Sequence, residues 1–215
     1  MIENLCYVIA AYLIGSIPFG YLAGRLNGID LREHGSCNIG ATNAVRVLGK
    51  KWGIPVFICD FLKGNLPLAA MIAHLNGDIT TLSTVDMAWV IAVMFALILG
   101  HTFTCFLGFK GGKGVATTGG CLIALSPLVG VVTIATWVIS MICCRYVSLS
   151  SMLAGVGMLG SAFYVFIYQD HGASGGDWLV MGLLTAIFIL VVIKHRTNIV
   201  RLMEGTEPKA FSKKK

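Results

Sequence analysis

Residues 87–107 read MAWVIAVMFALILGHTFTCFL and contain no Asp, Glu, Lys or Arg. An apolar run of about 20 residues forms a helix long enough to cross the ~30 Å hydrocarbon core of a bilayer. Six further apolar runs occupy residues 5–24, 53–75, 114–126, 128–144, 150–168 and 178–193. The sequence therefore predicts an all-α integral membrane protein.

The composition of the chain agrees with this class. Of the 215 residues, 56% are hydrophobic and only 12% are charged, and the mean hydropathy is +0.82. Soluble domains carry roughly a quarter charged residues. No segment resembles a soluble domain or a linker, so we expect a single transmembrane domain over residues 1–215. Its basic C-terminal tail, residues 208–215, is expected to attract anionic lipid.

Targeting and cysteine signals add two expectations. The N-terminus, MIENLC, lacks the basic region of a cleavable signal peptide, which predicts that the first apolar run is retained as a span. The seven cysteines include no C-x-x-C pair, and no His-rich tract accompanies them. We therefore expect packing cysteines and no bound metal or cofactor.

Basic residues predict the orientation of the spans. Every Lys and Arg except Lys63 falls in four segments, around residues 25–51, 110–113, 145 and 194–215. The loops at 76–86 and 169–177 instead carry only acidic charges: Asp78, Asp86, Asp170 and Asp177. Cytoplasmic loops carry the Lys and Arg excess, so the four basic segments should share the cytoplasmic side.

This orientation decides how residues 114–144 cross the membrane. They could form one long tilted helix or a helical hairpin that turns at Ser126 and Pro127. An even number of crossings must separate Lys113 from Arg145, which requires the hairpin. We therefore predict seven transmembrane helices including this short one, with the N-terminus outside and the C-terminus cytoplasmic.

A donor-rich stretch, REHGSCNIGATNAVRVLGKK, occupies residues 32–51 between two apolar runs. Asn38, Thr42 and Arg46 have i, i+4, i+8 spacing, which on a helix places them on one face. Ser36 and Asn38 would precede this helix as caps and leave its N-terminal amides for an anion. Ordinary capping needs fewer polar residues than this stretch holds, so we predict a binding role that also includes Asn43.

A glycine-rich stretch, GHTFTCFLGFKGGKGVATTGG, occupies residues 100–120. Gly111, Gly112 and Gly114 surround Lys113, which favours a loop whose amides and lysine approach a phosphate. The pattern is not a Walker A loop, because Gly114 stands where that motif requires Ser or Thr. A plain glycine-rich turn with a cytoplasmic lysine is the alternative.

A third polar stretch, IKHRTNIVRLMEGTE, covers residues 193–207 at the end of the last span. His195, Asn198 and Arg201 follow one another at i, i+3 spacing, and His195 could exchange a proton near neutral pH. An ordinary surface histidine is the alternative. Glu204 is expected to brace an arginine such as Arg201, three residues earlier.

Two charges lie inside the second apolar run. Asp60 and Lys63 are one helical turn apart where charge is costly, so they form either a structural ion pair or a polar wall of the site. They are also the only mid-membrane charges and no internal repeat is visible, which disfavours a secondary transporter.

The three polar stretches should meet at the cytoplasmic face. They supply cationic and neutral donors without a carboxylate dyad, a metal-ligand set or a Ser-His-Asp triad, a composition that suits doubly charged phosphate groups. One edge of such a site is lipid. The sequence predicts a phosphate site that a phosphorylated lipid-like substrate can enter from the membrane.

The chain resembles the bacterial acyl-phosphate-dependent glycerol-3-phosphate acyltransferases of the PlsY type in three stretches, GSIPFGYLAGRLNGIDLREHGSCNIGATNAVRVLGKK, GHTFTCFLGFKGGKGVAT and KHRTNIVRLMEGTE. The resemblance runs from about residue 15 to 207. It implies a seven-helix enzyme of the bacterial cytoplasmic (inner) membrane with its active site on the cytoplasmic side. The implied reaction transfers a fatty acyl group from acyl-phosphate to the 1-hydroxyl of sn-glycerol 3-phosphate, giving lysophosphatidate and phosphate. It starts phospholipid synthesis without a cofactor, a nucleic acid or a required protein partner.

The resemblance also assigns residues. The family's catalytic positions fall on Ser36, Arg46, Lys113, His195 and Asn198, and its phosphate loop includes Gly111, Gly112 and Gly114. Glu204 matches a supportive glutamate. Asp60 and Lys63 are expected to support the site because of their charge inside the second apolar run and not because of the resemblance. Two positions depart from the family pattern: Cys37 stands where Gly is usual, and Thr104 where Pro is usual. Cys37 alters the local geometry if its position requires positive φ.

Overall fold

The structure is a computed structural model that describes residues 1–75, 77, 79–169 and 174–210. These residues form helices and no β-strand, which confirms the all-α class. The α-helices are α1 (Ile2–Ser16), α2 (Phe19–Leu26), α3 (Ala41–Leu48), α4 (Lys50–His74), α5 (Thr84–Thr102), α6 (Val115–Leu125), α7 (Pro127–Cys144), α8 (Val147–Phe163), α9 (Gly175–Lys194) and α10 (Arg196–Met203).

The helices form two compact units, Met1–Leu125 and Ser126–Lys215. A single functional domain over residues 1–215 stays a prediction. Three of the features used in the sequence analysis, Asp78, Asp170 and residues 211–215 of the basic tail, lie outside the described residues.

Within the described ranges, six helical stretches are long and apolar enough to cross a membrane: Ile2–Leu26, Lys50–His74, Thr84–Leu107, Pro127–Cys144, Val147–Tyr168 and Gly175–Lys194. The protein is therefore a multi-pass membrane protein. Helix α6 has 11 residues, a length of about 16 Å, roughly half of the hydrocarbon thickness. The count of seven crossings and the sidedness of the termini stay predictions.

The first unit is held together by close helix contacts. Helix α1 packs on α5 through Gly15, and α4 packs on α6 through Gly64 and Gly120. At each of these glycines an added Cβ would overlap the backbone of the neighbouring helix. Small residues of this kind let membrane helices approach to backbone contact.

Proline punctuates the helices at two places. The apolar run at 5–24 is two helices rather than one: α1 ends at Ser16 and α2 begins at Phe19, directly after Pro18, which has no amide hydrogen to continue the helix. The break predicted at Ser126 and Pro127 is confirmed, since α6 ends at Leu125 and α7 begins at Pro127. The hairpin inferred from that break stays a prediction.

The second unit consists of α7–α10. Helix α8 lies between α7 and α9, with Gly157 against Thr136 and Gly155 against Phe188. Helix α9 begins with a capping box in which the Ser174 side chain and Asp177 hydrogen-bond to each other's backbone amides.

Candidate active site

The donor-rich stretch before α3 is organised by one buried side chain, Asn43, which is 1% exposed. Its Oδ1 accepts a hydrogen bond from the backbone amide of Ser36 at 2.8 Å. Its Nδ2 faces the carbonyl oxygens of Leu31, His34 and Asn38 at 3.1, 2.9 and 2.8 Å. Residues 31–38, which we call the Asn43 loop, therefore take their shape from backbone contacts to a single amide.

The helical part of this stretch starts later than the residue spacing suggested. Helix α3 begins at Ala41 with Gly40 as its N-cap, so the expectation that Asn38 lies on a helix face with Thr42 and Arg46 is wrong. The Asn38 side chain instead accepts from the amide of Gly40 at 2.8 Å and closes a turn. Neither Asn38 nor Ser36 caps α3. Thr42 and Arg46 do lie on α3, and both are exposed.

Two residues of the Asn43 loop have left-handed backbone. Gly35 has φ +64°, and a Cβ there would overlap Oδ1 of Asn43, so both the backbone conformation and the lack of space require glycine. Cys37 has φ +54°, so its position does have the positive φ on which the effect of its departure from the family's glycine was said to depend. The exposed Ser36 stands between them, and its orientation follows from this turn.

Charges on the loop are partly internal. The guanidinium of Arg32 lies 2.6 Å from the carboxylate of Asp30 and 4.9 Å from the ring centroid of Tyr21. Hydrogen bonds from Arg32 lower the pKa of Asp30 to about 2, so the pair stays ionised at neutral pH. Arg32 is thus engaged with Asp30, whereas Arg46 is exposed on α3.

The glycine-rich stretch folds back on the end of α5. The amide of Gly111 donates to Thr102 O at 3.2 Å, and that of Gly112 donates to His101 O at 2.9 Å. Gly114, with φ +81°, then accepts from Thr118 and starts α6. The two amides expected to face a phosphate therefore face carbonyl oxygens of α5, and the binding role of Gly111, Gly112 and Gly114 beside Lys113 stays a prediction.

A buried charged cluster lies next to this turn, deep in the first unit. Lys63 Nζ is 2.8 Å from Asp60 Oδ1, so the ion pair predicted from the one-turn spacing is formed. His101 Nδ1 lies 3.5 Å from the same oxygen. The cluster lines a narrow recess together with residues that include Ser16, Ile17 and Thr104.

Thr104, the second departure from the family pattern, is compatible with the local backbone. Its φ of −65° is the value that a proline ring imposes, so the backbone here suits either residue. The threonine adds a hydrogen bond that proline lacks, from its hydroxyl to Ser16 O at 2.6 Å.

The third motif lies in the second unit, where α9 passes into α10. His195 occupies the junction and is 2% exposed. Its Nδ1 lies 2.8 Å from the carbonyl oxygen of Val191, which can only accept, so Nδ1 carries a proton. Asn198 follows one turn later and is also buried.

The carboxylate that organises this motif is Glu207, which the sequence analysis did not single out. It accepts from Ser148 Oγ, Asn198 Nδ2 and Arg201 Nε, each at 2.7 Å. The prediction that Glu204 braces Arg201 is wrong, since Glu204 is exposed at the end of α10. Gly205, with φ +69°, reverses the chain and returns Glu207 to the helix. A glycine two residues after the end of α10 was the available signal.

The surroundings of Glu207 favour its charged form. Burial raises the pKa of this carboxyl, but the hydrogen bonds from Arg201, Asn198 and Ser148 outweigh burial and lower the pKa below its ordinary value. Asn198 is therefore held by an ionised partner, which fixes its amide nitrogen as the donor to Glu207.

The structure thus assembles two polar centres, one in each unit. The first unit holds the Asn43 loop with Thr42 and Arg46 on the adjoining helix, and also the turn bearing Lys113, which packs on His101 beside the Asp60 and Lys63 pair. The second contains His195, Asn198 and Arg201 around Glu207. Their convergence into one pocket stays a prediction.

Comparison with known proteins indicates the protein family to which this chain belongs. Residues 5–205 match the family model described as glycerol-3-phosphate acyltransferase. The glycerol-3-phosphate acyltransferase of Bacillus subtilis (strain 168) is 43% identical over 203 residues, which is 94% of this chain and 95% of the relative. That of Geotalea daltonii is 42% identical over 207 residues, covering 96% and 97%.

A solved structure carries the same likeness in three dimensions. The crystal structure of PlsY (YgiH), an integral membrane glycerol 3-phosphate acyltransferase, superimposes in its glycerol 3-phosphate form with a TM-score of 0.84 and 39% identity over 96% of this chain and 95% of that one. Its lysophosphatidic acid form gives 0.81 and 38%. The fold and the motifs define a membrane acyltransferase. The chain belongs to the glycerol-3-phosphate acyltransferase family of the PlsY type.

Proposed function

We propose that this protein transfers a fatty acyl group from acyl-phosphate to the 1-hydroxyl of sn-glycerol 3-phosphate, giving lysophosphatidate and inorganic phosphate. It does so as the first step of phospholipid synthesis in the bacterial inner membrane, with its site on the cytoplasmic side. The observation that carries this proposal is the full-length similarity to PlsY, whose solved structures include a glycerol 3-phosphate form and a lysophosphatidic acid form.

The residues suit two phosphorylated substrates. Arg46 and Lys113 neutralise phosphate oxygens, and Ser36 and Asn198 orient the substrates through neutral hydrogen bonds. Holding two anions side by side against their mutual repulsion is the main catalytic task. The remaining residues that we propose for substrate and phosphate binding are Asn38, Thr42, Asn43, Gly111, Gly112, Gly114 and Arg201.

The chemical step requires no covalent enzyme intermediate or cofactor, because acyl-phosphate is already activated. The 1-hydroxyl oxygen attacks the acyl carbon, the bond from that carbon to the phosphate oxygen breaks, and inorganic phosphate leaves. The hydroxyl proton passes either to His195 or to a phosphate oxygen of a substrate.

The tautomer of His195 bears on this choice. With Nδ1–H donating to Val191 O, the neutral ring presents Nε2 as an acceptor, the form required of a general base. A doubly protonated ring would instead donate from Nε2 to a phosphate. His195 cannot serve both roles at the same moment.

The acyl donor is tested first. Purified protein in lipid is incubated with glycerol 3-phosphate and, in turn, acyl-phosphate, acyl-CoA or acyl carrier protein, while phosphate and lysophosphatidate are quantified. We expect product with acyl-phosphate alone. Product with a thioester only would overturn the donor assignment, and the Arg46→Ala variant gives the background rate.

The role of His195 is tested by His195→Gln, which keeps a hydrogen-bond donor and removes the base. Loss of a general base lowers kcat by about 10²–10⁴-fold. Turnover within a few-fold of the wild type would assign the proton to phosphate instead. His74→Gln, at the far end of α4, is the matched control.

A further inference from the structure

The imidazole of His101 spans the space between a buried carboxylate and the turn that carries Lys113. Its Nδ1 faces Asp60 Oδ1 at 3.5 Å. On the other edge of the ring, a Cβ added to Gly112 would overlap Nε2, so the ring lies directly against this glycine. The side chains of Asp60 and His101 are only 4% and 6% exposed, and the proposed reaction gives neither of them a contact with a substrate.

The other end of this arrangement is fixed to the break between α1 and α2. Lys63 Nζ lies 2.8 Å from Asp60 Oδ1 in an ion pair, and it donates a hydrogen bond to the carbonyl oxygen of Ile17 at 2.8 Å. That carbonyl lies immediately before Pro18, where the helix is interrupted. The Ile17 carbonyl also accepts from the backbone amide of Phe19 at 3.2 Å, so Lys63 provides a second donor at the helix break.

A structural ion pair alone would not need the histidine. Lys63 already neutralises Asp60, and an apolar side chain at position 101 would fill the same space at lower cost in the membrane. What the histidine adds is orientation. The Asp60 carboxylate, 3.5 Å from Nδ1, favours one orientation of the ring, and the opposite edge of that ring limits where the backbone of Gly112 can lie.

We propose that Asp60 and His101 are positioning residues that hold the turn at Gly112 and thereby place Lys113 for the phosphate of glycerol 3-phosphate. This inference rests on the proposed function of Lys113. Lys113 immediately follows the glycine in contact with the ring, so a shift of the ring moves the start of the lysine side chain. Misplacement of a binding group by about 1 Å can cost on the order of 10²-fold in rate.

The first test is a double-mutant cycle. His101→Gln is expected to raise KM for glycerol 3-phosphate about tenfold, with kcat changed less than about threefold. In a Lys113→Ala background the same substitution should change KM by less than about twofold, because the group it positions is gone. An equal fold-change in both backgrounds would overturn the proposal, as would a His101→Gln protein with wild-type KM.

The second test uses the steric contact and does not depend on the stability of the buried charges. Gly112→Ala should weaken glycerol 3-phosphate binding because its Cβ meets the imidazole, and adding His101→Ala should restore part of the loss by making room. Gly111→Ala should not be rescued, since its Cβ meets the backbone carbonyl of His101. Gly119→Ala, where the added Cβ meets only Phe61 at 3.8 Å, controls for alanine in this region.

Calorimetric binding of glycerol 3-phosphate to purified, monodisperse protein separates the two levels of the argument, since it needs no acyl donor. Absence of binding by the wild type would contradict the proposed function. Binding by the wild type with no rescue of Gly112→Ala by His101→Ala would contradict the positioning role alone.

Discussion

Asn43 and Glu207 perform comparable tasks in the two units by different chemistry. Each is a nearly buried polar side chain that gathers several hydrogen bonds around a motif. Asn43 is neutral, and its side chain hydrogen-bonds to backbone atoms of residues 31–38. Glu207 is charged, and its carboxylate accepts hydrogen bonds from the side chains of Ser148, Asn198 and Arg201.

Asn43 therefore determines the path of a loop, whereas Glu207 determines the orientation of side chains. A side chain that binds backbone fixes the path of a loop, and a neutral amide does so at any pH. A carboxylate that binds side chains fixes their rotamers, and it does so only while ionised. Variants of the two residues should therefore fail in different ways.

The largest effect is expected for Asn43→Asp. The substitution removes both amide hydrogens and places carboxylate oxygen against carbonyl oxygens, so buried groups lose their partners and are repelled. We expect destabilisation of about 3 kcal/mol or more and loss of transferase activity. Thermal unfolding in detergent measures the first. The matched control is Asn27→Asp, whose amide has a single bond to Ala23 O at the surface.

The next effect is that of Glu207→Gln. Glutamine retains one carbonyl oxygen for the donors, but it loses the charge opposite Arg201, and hydrogen bonds to charged groups contribute about 1.5–3 kcal/mol. We expect a smaller loss of stability than for Asn43→Asp, with lower kcat because Asn198 is less firmly oriented. Glu204→Gln should behave as the wild type, and an equal loss there would contradict the assignment of the brace.

A pH titration tests the comparison directly. The pKa of Glu207 is lowered in the folded state, so its stabilisation is fully present above the ordinary value of 4.5 and is lost as pH falls through the lower, folded-state pKa. The Tm difference between wild type and Glu207→Gln should vanish over that acid range. The Tm difference between the wild type and an Asn43→Ala variant should not follow this curve, since neither asparagine nor alanine has a side chain that titrates.

The smallest effect is expected for Cys37→Gly. A residue with a Cβ is destabilised by about 1 kcal/mol in the left-handed backbone region, and glycine avoids this cost. Part of the gain is offset because glycine loses more backbone entropy on folding. We expect a rise in stability of less than about 1 kcal/mol, seen as a small increase in Tm. A decrease would show that the thiol makes a stabilising contact of its own.

Much of the fold was predictable because its causes are local. Apolar runs indicate spans, Pro127 marks a helix start, and the spacing of Asp60 and Lys63 indicates a pair. The Arg201 partner was misassigned because i, i+3 spacing applies only within a helix, and the chain reverses at Gly205.

The remaining contacts had no local signal in the sequence. Asn43 was predicted to bind a ligand, and its structural role was not foreseen. Its backbone partners lie 5–12 residues away and come within reach only after the loop has folded. His101 was missed because its partner at the turn, Gly112, has no side chain to form a recognisable pair.

The construction of the Asn43 loop has an evolutionary consequence. Asn43 hydrogen-bonds to backbone carbonyl and amide groups, which nearly every residue type supplies. Neighbours such as Arg32, Glu33 and His34 can therefore be substituted without changing the path of the loop. Gly35 is the exception, since no Cβ fits beside Oδ1 of Asn43. Around Glu207, by contrast, a substitution at Ser148 or Arg201 removes a hydrogen-bond donor to the carboxylate. These positions are therefore expected to be retained or to change together during evolution.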